Sequence, residues 1–473
     1  MSRRCAWVLA VVVLLAIATL VACSSTYSAS NDGLVLVPSA GSAVVQAFSF
    51  SLTNGHVSLL NTAPSTLGLP TAMVVDPTGS FAYATTVPNA AVTKTLAESS
   101  IVSYTVKSDG TLSVAGNPLS MLTICPNTLP APAPPYVSCP ALLPSDPNFN
   151  PAAGNISPTA AVMDSAGKYL FVADHQTSDS NGNAVPGSVS VFSIGSGGTL
   201  TEVTGSPFTV PVLQVGPTTI ANLLGLAVTP TKYPTLNTQS VQNAVCSLGP
   251  PLPASTPEYL YVADANNNVV WGFTVQSGGI LSPIVNPLSG VVLTFPADSV
   301  TTGVAVDPCN RFVFATNNNS NTISAYAICN TTSPARPPIC DANQYPDGYL
   351  VQITGSPFNL GGGSPNGPTV AAVDPLANFL YVLGNKSNTI SCFRISQVNG
   401  TLAPLTPATI ATGINPAAIA IRGDDNWLFV ANNDTVNGFG IVSQYEITPA
   451  SGVLTPFGTG IQTDNYPTAV AVK

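Results

Sequence analysis

One pattern recurs along this chain, and it restricts the fold more than any other feature. A short apolar strand opens on Pro-Thr or a similar pair. A tight turn follows, and then a second strand ends in a small polar group. The clearest copy is PTAMVVDPTGSFAYATT from Pro70. Others are PTAAVMDSAGKYLFVAD from Pro158, LLGLAVTP and then EYLYVADANN from Leu223, and TTGVAVDPCNRFVFATNN from Thr301. PTVAAVDPLANFLYVLGN from Pro368 and PAAIAIRGDDNWLFVANN from Pro416 continue the series, and PTAVAVK from Pro467 ends it. After each pair comes a third alternating strand, as in SIVSYTV from Ser100 or NTISCFRI from Asn388. A Gly-containing turn such as Gly110-Thr111-Leu112, Gly198-Thr199-Leu200 or Gly400-Thr401-Leu402 then leads to a short fourth strand.

Period-2 strands broken by Asp-Pro-x-Gly turns form four-stranded antiparallel sheets. Each sheet has two apolar faces and buries both only by stacking on neighbours, so the units form a ring or a solenoid. The two chain ends decide between them. PTAVAVK supplies an innermost strand with nothing after it. GLVLVPS from Gly33, AVVQAFSFS from Ala43 and HVSLL from His56 supply three outer strands with no inner one. Together they complete a seventh unit and remove the open edges. The sequence therefore predicts an all-β fold, a seven-bladed β-propeller over residues 33–473. With strand 1 innermost, loops between blades and between strands 2 and 3 share one face, the top. Loops joining strands 1 and 2, and strands 3 and 4, share the bottom.

Residues 1–22 read as an export signal. Met1–Arg4 is positive, and an apolar run from Ala6 to Leu20 is too short to span a bilayer. Leu20-Val21-Ala22-Cys23 looks like a bacterial lipobox, which would make Cys23 the lipidated first residue, with 23–32 a short linker. An ordinary secretory signal cleaved nearby is the alternative. Ser24 and Ser25 resemble outer-membrane sorting, so the expected location is the cell envelope, with the membrane reached through the lipid anchor. Export implies an oxidising compartment. No zinc spacing links the remaining cysteines, so disulfides are expected. Cys125–Cys139 would close a top insert, Cys246–Cys309 would join a bottom insert to the next blade, and Cys329–Cys340 would lie within one bottom loop. Cys392, on a strand, is left as a buried thiol.

Charged residues are only 7% of the chain, and the formal charge is −9. Such a body cannot neutralise many phosphates, which excludes nucleic acid as a partner and argues against an electrostatic grip on anionic lipid.

The repeated Val-Asp-Pro turns (Val75-Asp76-Pro77, Val306-Asp307-Pro308, Val373-Asp374-Pro375), the second strands Leu170–Asp174, Leu260–Asp264 and Leu428–Asn432, and the Gly-Thr-Leu turns carry a resemblance. The mature chain resembles the lactonase-like β-propeller family, which includes 6-phosphogluconolactonase-type propellers, carboxymuconate cyclases and YVTN-repeat surface proteins. The resemblance implies that enzymes of the group carry His after the Pro opening an inner strand, with Arg near the central funnel. Here those positions hold Thr71, Thr159, Thr369 and Thr468, and Arg311, Arg336, Arg394 and Arg422 fall on bottom turns, a bottom insert or an outer strand.

The candidate site residues are few. Asp174 and His175 end a second strand at the top. A His beside a carboxylate there could act as general base on a lactone carbonyl, or be a loop His with a local bond. Asp174, Asp264, Asn317, Asn385 and Asn432 stand at the tops of second strands. As a ring they could bind a polyhydroxyl ligand or a cation, or they could cap turns. Asp264-x-Asn266-x-Asn268 starts like a calcium loop but has Val269 and Val275 where Gly and the bidentate acid belong, which rejects that reading. Lys94 and Lys386 are the basic groups of the top loops, and His56 is structural. No metal and no cofactor are expected. The expected function is a binding or scaffolding propeller that takes an envelope protein or a sugar-like molecule. A lactone hydrolase or cycloisomerase is the enzymatic alternative, and a purely structural envelope protein is a third.

Overall fold

A computed structural model of the chain describes residues 32–52, 54–64, 68–88, 99–121, 123–126, 136–139, 157–175, 187–210, 221–231, 256–330, 337–340, 345–361, 366–434 and 438–473. Seven antiparallel sheets stand in a ring, and we number the blades I to VII in chain order of their inner strands. Blade I is Gly68–Val75, Phe81–Pro88, Ser100–Val106 and Leu112–Val114. Blade II is Ser157–Met163, Tyr169–His175, Ser188–Ile194 and Leu200–Glu202. Blade III is Leu223–Val228, Glu258–Asp264, Val269–Val275 and Leu281–Pro283. Blade IV is Thr301–Val306, Phe312–Asn317, Thr322–Cys329 and Tyr349–Gln352. Blade V is Pro368–Val373, Phe379–Gly384, Thr389–Ile395 and Leu402–Ala411. Blade VI is Pro416–Ile421, Trp427–Asn432, Gly440–Thr448 and Val453–Thr463.

Blade VII takes its inner strand from one end of the chain and the rest from the other. Ala471–Val472 pairs with Asp32–Ser39, which pairs with Val44–Ser51 and then Val57–Pro64. Val35 faces Val472 and Leu36 faces Ala471. The ladder extends beyond that strand, since Leu34 N donates to Lys473 O at 3.1 Å and Lys473 N to Leu34 O at 2.9 Å. Higher up, Thr468 N reaches Pro38 O at 3.0 Å and Ala40 N reaches Tyr466 O at 2.8 Å. The wheel expected from the repeat is closed.

The blades lock together through a device repeated at the bottom of the ring. The residue opening a second strand is aromatic in blades I to VI: Phe81, Tyr169, Tyr259, Phe312, Phe379 and Trp427. Each ring lies on the glycine of the strand 3–4 turn in the next blade, namely Gly198, Gly279, Gly348, Gly400, Gly452 and Gly55. At Gly348 the φ is +83°, and an added Cβ would come 2.5 Å from Tyr259 Cδ1. That seat needs a residue that is both left-handed and bare. Three tyrosines two positions on strengthen the joint. Tyr83, Tyr261 and Tyr381 donate their hydroxyls to the carbonyls of Gly198, Gly348 and Gly452 at 3.0, 2.8 and 2.8 Å. Inter-blade cores fill the space above, as in the Leu380, Val382, Phe312 and Phe314 cluster between blades IV and V.

The joint between blades VII and I lacks the aromatic. The register that places an aromatic elsewhere places Leu34 there, since Lys473 N donates to Leu34 O as Asp76 N does to Phe81 O. One residue before it stands Gly33, opposite Phe50. A Cβ there would meet Lys473 O at 2.9 Å and Arg422 Nε at 3.1 Å. Asn61 ties this joint at the outer edge instead. Its amide donates to Leu112 O at 2.9 Å, and its oxygen accepts from Leu112 N at 2.9 Å.

Among the cysteines, Cys329 and Cys340 are bonded within the expected bottom loop. Cys309 is disulfide-bonded, and Cys246, its expected partner, lies outside the described residues. Cys392 is a buried thiol, pushed up to about 12 by burial. The side chains of Cys125 and Cys139 lie outside the described residues, although their strands, Thr123–Pro126 and Tyr136–Cys139, pair. Residues 1–22, Cys23, Lys94 and Arg336 also lie outside them. No described helix is long and apolar enough to cross a membrane.

Candidate functional site

The central channel is walled by the innermost strands. In blades I to VI each of these carries a bulge one residue after its start or after its Pro, at Thr71, Thr159, Leu224, Thr302, Thr369 and Ala417. A bulge leaves one residue out of the ladder and re-aims its side chain. Here the re-aimed hydroxyls stitch neighbouring blades. Thr159 Oγ1 donates to Leu223 O at 2.7 Å, Thr302 Oγ1 to Pro368 O at 3.0 Å, and Thr468 Oγ1 to Pro70 O at 3.0 Å. Thr71 Oγ1 lies 2.8 Å from Thr85 Oγ1. Thr369 Oγ1 has no partner. The seven inner strands hold only Gly, Pro, Ser, Thr and apolar residues, so no ionisable side chain stands on the channel wall.

The proposed ring at the tops of the second strands does not face that channel. Asp174, Asp264, Asn317 and Asn432 are fully buried inside their blades. Each bonds to strand 3 of its own blade or the turn before it. Asp174 Oδ2 accepts from Ser190 N at 3.0 Å and Ser190 Oγ at 2.6 Å. Asp264 accepts from Asn267 Nδ2 at 2.6 Å and Trp271 Nε1 at 3.1 Å. Asn317 Nδ2 donates to Thr322 Oγ1 at 3.1 Å and Ser324 Oγ at 3.0 Å, and Asn432 Nδ2 to Ser443 Oγ at 3.0 Å. These residues pin strand 2 to strand 3. Asn385 is not their counterpart at all. Pro368 pairs with Gly384, which puts Gly384 at the equivalent position and Asn385 one residue beyond it, half-buried with Oδ1 unpaired.

The Asp174-His175 pair also comes apart. Both lie on one strand, and successive strand residues point to opposite faces. Asp174 points into its blade and His175 toward blade III. Burial is the main influence on His175 and pulls its pKa down, against the bond to the Ala221 carbonyl and the carboxylate of Asp264. Its Nδ1 is buried without a partner, as is Asp174 Oδ1. Burial holds the Asp174 carboxyl well above the usual range, with Ser190 opposing. An acid and an imidazole on opposite faces of one strand do not make a general-base dyad.

The chemistry-bearing groups gather at the bottom. The Asp of each Val-Asp-Pro turn caps that turn: Asp76 Oδ1 accepts from Phe81 N at 2.7 Å and Asp374 Oδ1 from Phe379 N at 2.6 Å. Asp307 does the same for Arg311 N and pairs with its guanidinium at 2.6 Å, both side chains being buried. In blade VI Arg422 replaces the capping Asp, and Asp425 takes the left-handed position of the turn. Both Asp425 oxygens are buried and unpaired, as is Asp374 Oδ2 in the neighbouring turn. Burial, and then the charge of Asp307, push Asp374 up to about 7 against the bonds from Phe379 N and Asn378 N. Burial, then Asp374 and Asp424, push Asp425 up to about 8. Glu258 in blade III is pushed up to about 8 by burial and by Asp164, with Lys168 opposing.

One pocket opens here that the repeat does not reveal. Blade VII has no strand 1–2 turn, because its two inner strands are chain ends. The space is a cavity of about 570 Å³ lined by Val75, Asp76, Pro77, Arg422, Gly423, Asp424, Val472 and Lys473. Arg422 pairs with Asp424, its Nε donates to Lys473 O at 3.4 Å, and the Lys473 ammonium bonds the Thr78 carbonyl. The signal was available in the sequence: a wheel closed by its ends must lack one turn of seven.

Residues 358–472, which span blades V and VI and the closing strand, match the family model described as "Lactonase, 7-bladed beta-propeller". The likeness to lactonase propellers thus rests on that quarter of the chain, and the seven-bladed fold on the whole of it. Among curated proteins nothing matches it. Solved structures similar to it include a candidate 6-phosphogluconolactonase from Bacteroides fragilis (TM-score 0.61, 17% identity, covering 95% of this chain and 99% of that one). A periplasmic gluconolactonase from Pseudomonas aeruginosa has a TM-score of 0.61 at 16% identity, covering 93% of this chain and 99% of that one. A protein from Lactobacillus plantarum has a TM-score of 0.59 at 14% identity, covering 94% and 99%. Identities this low transfer the lactonase-like fold and leave the activity to be argued from the site.

Proposed function

We propose that this lactonase-like propeller is exported, anchored through Cys23 at the cell envelope, and holds an uncharged partner rather than turning over a lactone. One observation carries the reading: none of the seven channel-wall strands bears an acid, a base or a cation. Lactone hydrolysis needs a group to activate water and a donor to hold the developing oxyanion. A phosphorylated substrate would need cationic partners as well. The wall offers threonine hydroxyls, those of Thr159, Thr302 and Thr468 engaged between blades, and alanine, valine and isoleucine. That surface suits a polyhydroxyl molecule or an uncharged peptide loop.

The hydrolase reading is favoured by one fact, the likeness to structures bearing gluconolactonase names. The purified protein, assayed against gluconolactone and its 6-phosphate, separates the two. We expect no turnover above the spontaneous rate, and none lost in His175→Ala. Turnover that disappears in His175→Ala would reverse the conclusion. Labelling with a fatty acid in cells, lost in Cys23→Ala, tests the anchor.

A further inference from the structure

The ring has two faces, and the described charges are divided unequally between them. Lys107, Lys168, Arg394, Arg422 and Lys473 sit in bottom turns or at bottom strand ends, whereas Lys386 alone of the described basic residues lies on the top. Of the bottom carboxylates, Asp76, Asp164, Asp307, Asp374 and Asp425 are buried in their turns, while Asp109, Asp347, Asp424 and Glu446 remain at the surface. This face is therefore closer to balanced in charge than the chain as a whole. Exposed apolar tips stand on the same side. Ile280, Ile339 and Val398 belong to the strand 3–4 loops of the adjacent blades III, IV and V, and are 42%, 42% and 64% exposed. Pro337, Pro338, Ile339, Ile353 and Val398 line a groove of about 410 Å³ there, with the Cys329–Cys340 bond fixing one wall.

The chain also enters on this side. Strand 2 of blade VII rises from the bottom, where Gly33 packs against Lys473 and Arg422. The nine steps of chain from Cys23 to Asp32 can span at most about 30 Å fully extended. A strand of eight residues is itself about 26 Å tall. A tether rooted at the bottom is too short to pass round the rim and lay the top on a bilayer.

We propose that the bottom of the propeller docks on the lipid surface that holds its anchor, with Ile280, Ile339 and Val398 in the interfacial layer and the basic residues at headgroup phosphates. This rests on the anchoring reading above. It leaves the top mouth open to the aqueous compartment. Apolar tips on a face that also carries Lys and Arg are the chemistry of an interfacial contact, which adds to the hold of a lipid anchor. The top also shows apolar side chains, Ile414, Phe439 and Tyr466, but without basic neighbours other than Lys386.

The test uses the full lipidated chain in vesicles of equal parts phosphatidylethanolamine and phosphatidylglycerol with brominated acyl chains. Tryptophan is placed by Val398→Trp on one face and Phe439→Trp on the other, with thermal melts confirming that both variants fold. We expect loss of fluorescence at position 398 and none at 439. Quenching at 439, or at neither position in protein that floats with the vesicles, overturns the docking while leaving the anchor standing. Protein that does not float, and behaves like Cys23→Ala, overturns the anchor and this proposal with it.

Discussion

Six joints of the ring and the seventh solve the same packing problem differently. Between blades I and VII, taken in chain order, an aromatic from one blade covers a bare glycine turn in the next, as Tyr259 covers Gly348 and Phe379 covers Gly452. Between blade VII and blade I the aromatic is replaced by Leu34, and the bottom stays open as the Arg422–Lys473 cavity. Stability at that joint moves outward to Asn61 and inward to the ladder between residues 34–40 and 466–473. A chain that has to enter and leave at one place cannot also plug it. The closing joint still buries apolar area, with Leu34, Leu36 and Val45 against Met73, Ala82 and Val102, and lacks only the aromatic seat, while the ladder of the two chain segments holds blade VII itself together.

The comparison can be broken in four ways. The largest effect should come from deleting Pro467–Lys473. It removes the inner strand of blade VII and exposes the apolar edge of Leu34, Leu36 and their neighbours, so no cooperative thermal transition should survive. A truncated chain that melts like the parent would show that the seam contributes little. Next is Gly348→Ala or Gly452→Ala, each combining a left-handed backbone with an overpacked aromatic. We expect about 2–4 kcal/mol of destabilisation by denaturant titration. Asn61→Ala should cost about 1–2 kcal/mol through two lost hydrogen bonds, and more than the same change at exposed Asn54.

The smallest effect is that of pH. Asp374, Asp425 and Glu258 bind protons more tightly folded than unfolded. The folded state therefore holds protons that the unfolded state releases above about pH 4, and stability falls as pH rises from there to about 8. Thermal midpoints should decline over that window. Asp425→Asn should flatten the decline and raise stability at alkaline pH by on the order of 1 kcal/mol. A midpoint that rises toward pH 8 would contradict the assignment.

The architecture was legible because it rests on short-range patterns. Alternation in Leu260–Asp264, the Asp-Pro turns and the unpaired strands at both ends each mean one thing in any protein, and together they fix a closed wheel. The site was less legible because it depends on register. Asp174 and His175 are neighbours in sequence and opposed in space. Asn385 aligns with Asn432 by eye, yet the ladder aligns Gly384 with it. The bulges that turn Thr159 and Thr302 toward the next blade leave no trace in composition. Arg422 and Lys473 are distant in sequence and meet only because the ring closes.

Closure by the two ends also sets a timetable. The partner of Val35 is Val472, and some 437 residues of chain must be made before the two can meet. Until then the strand at residues 32–39 has one unpaired edge, and the nascent ring is an open arc. A contact of such high sequence separation forms late and slowly. A copy lacking residues 466–473 would therefore keep that margin unpaired and remain an open arc.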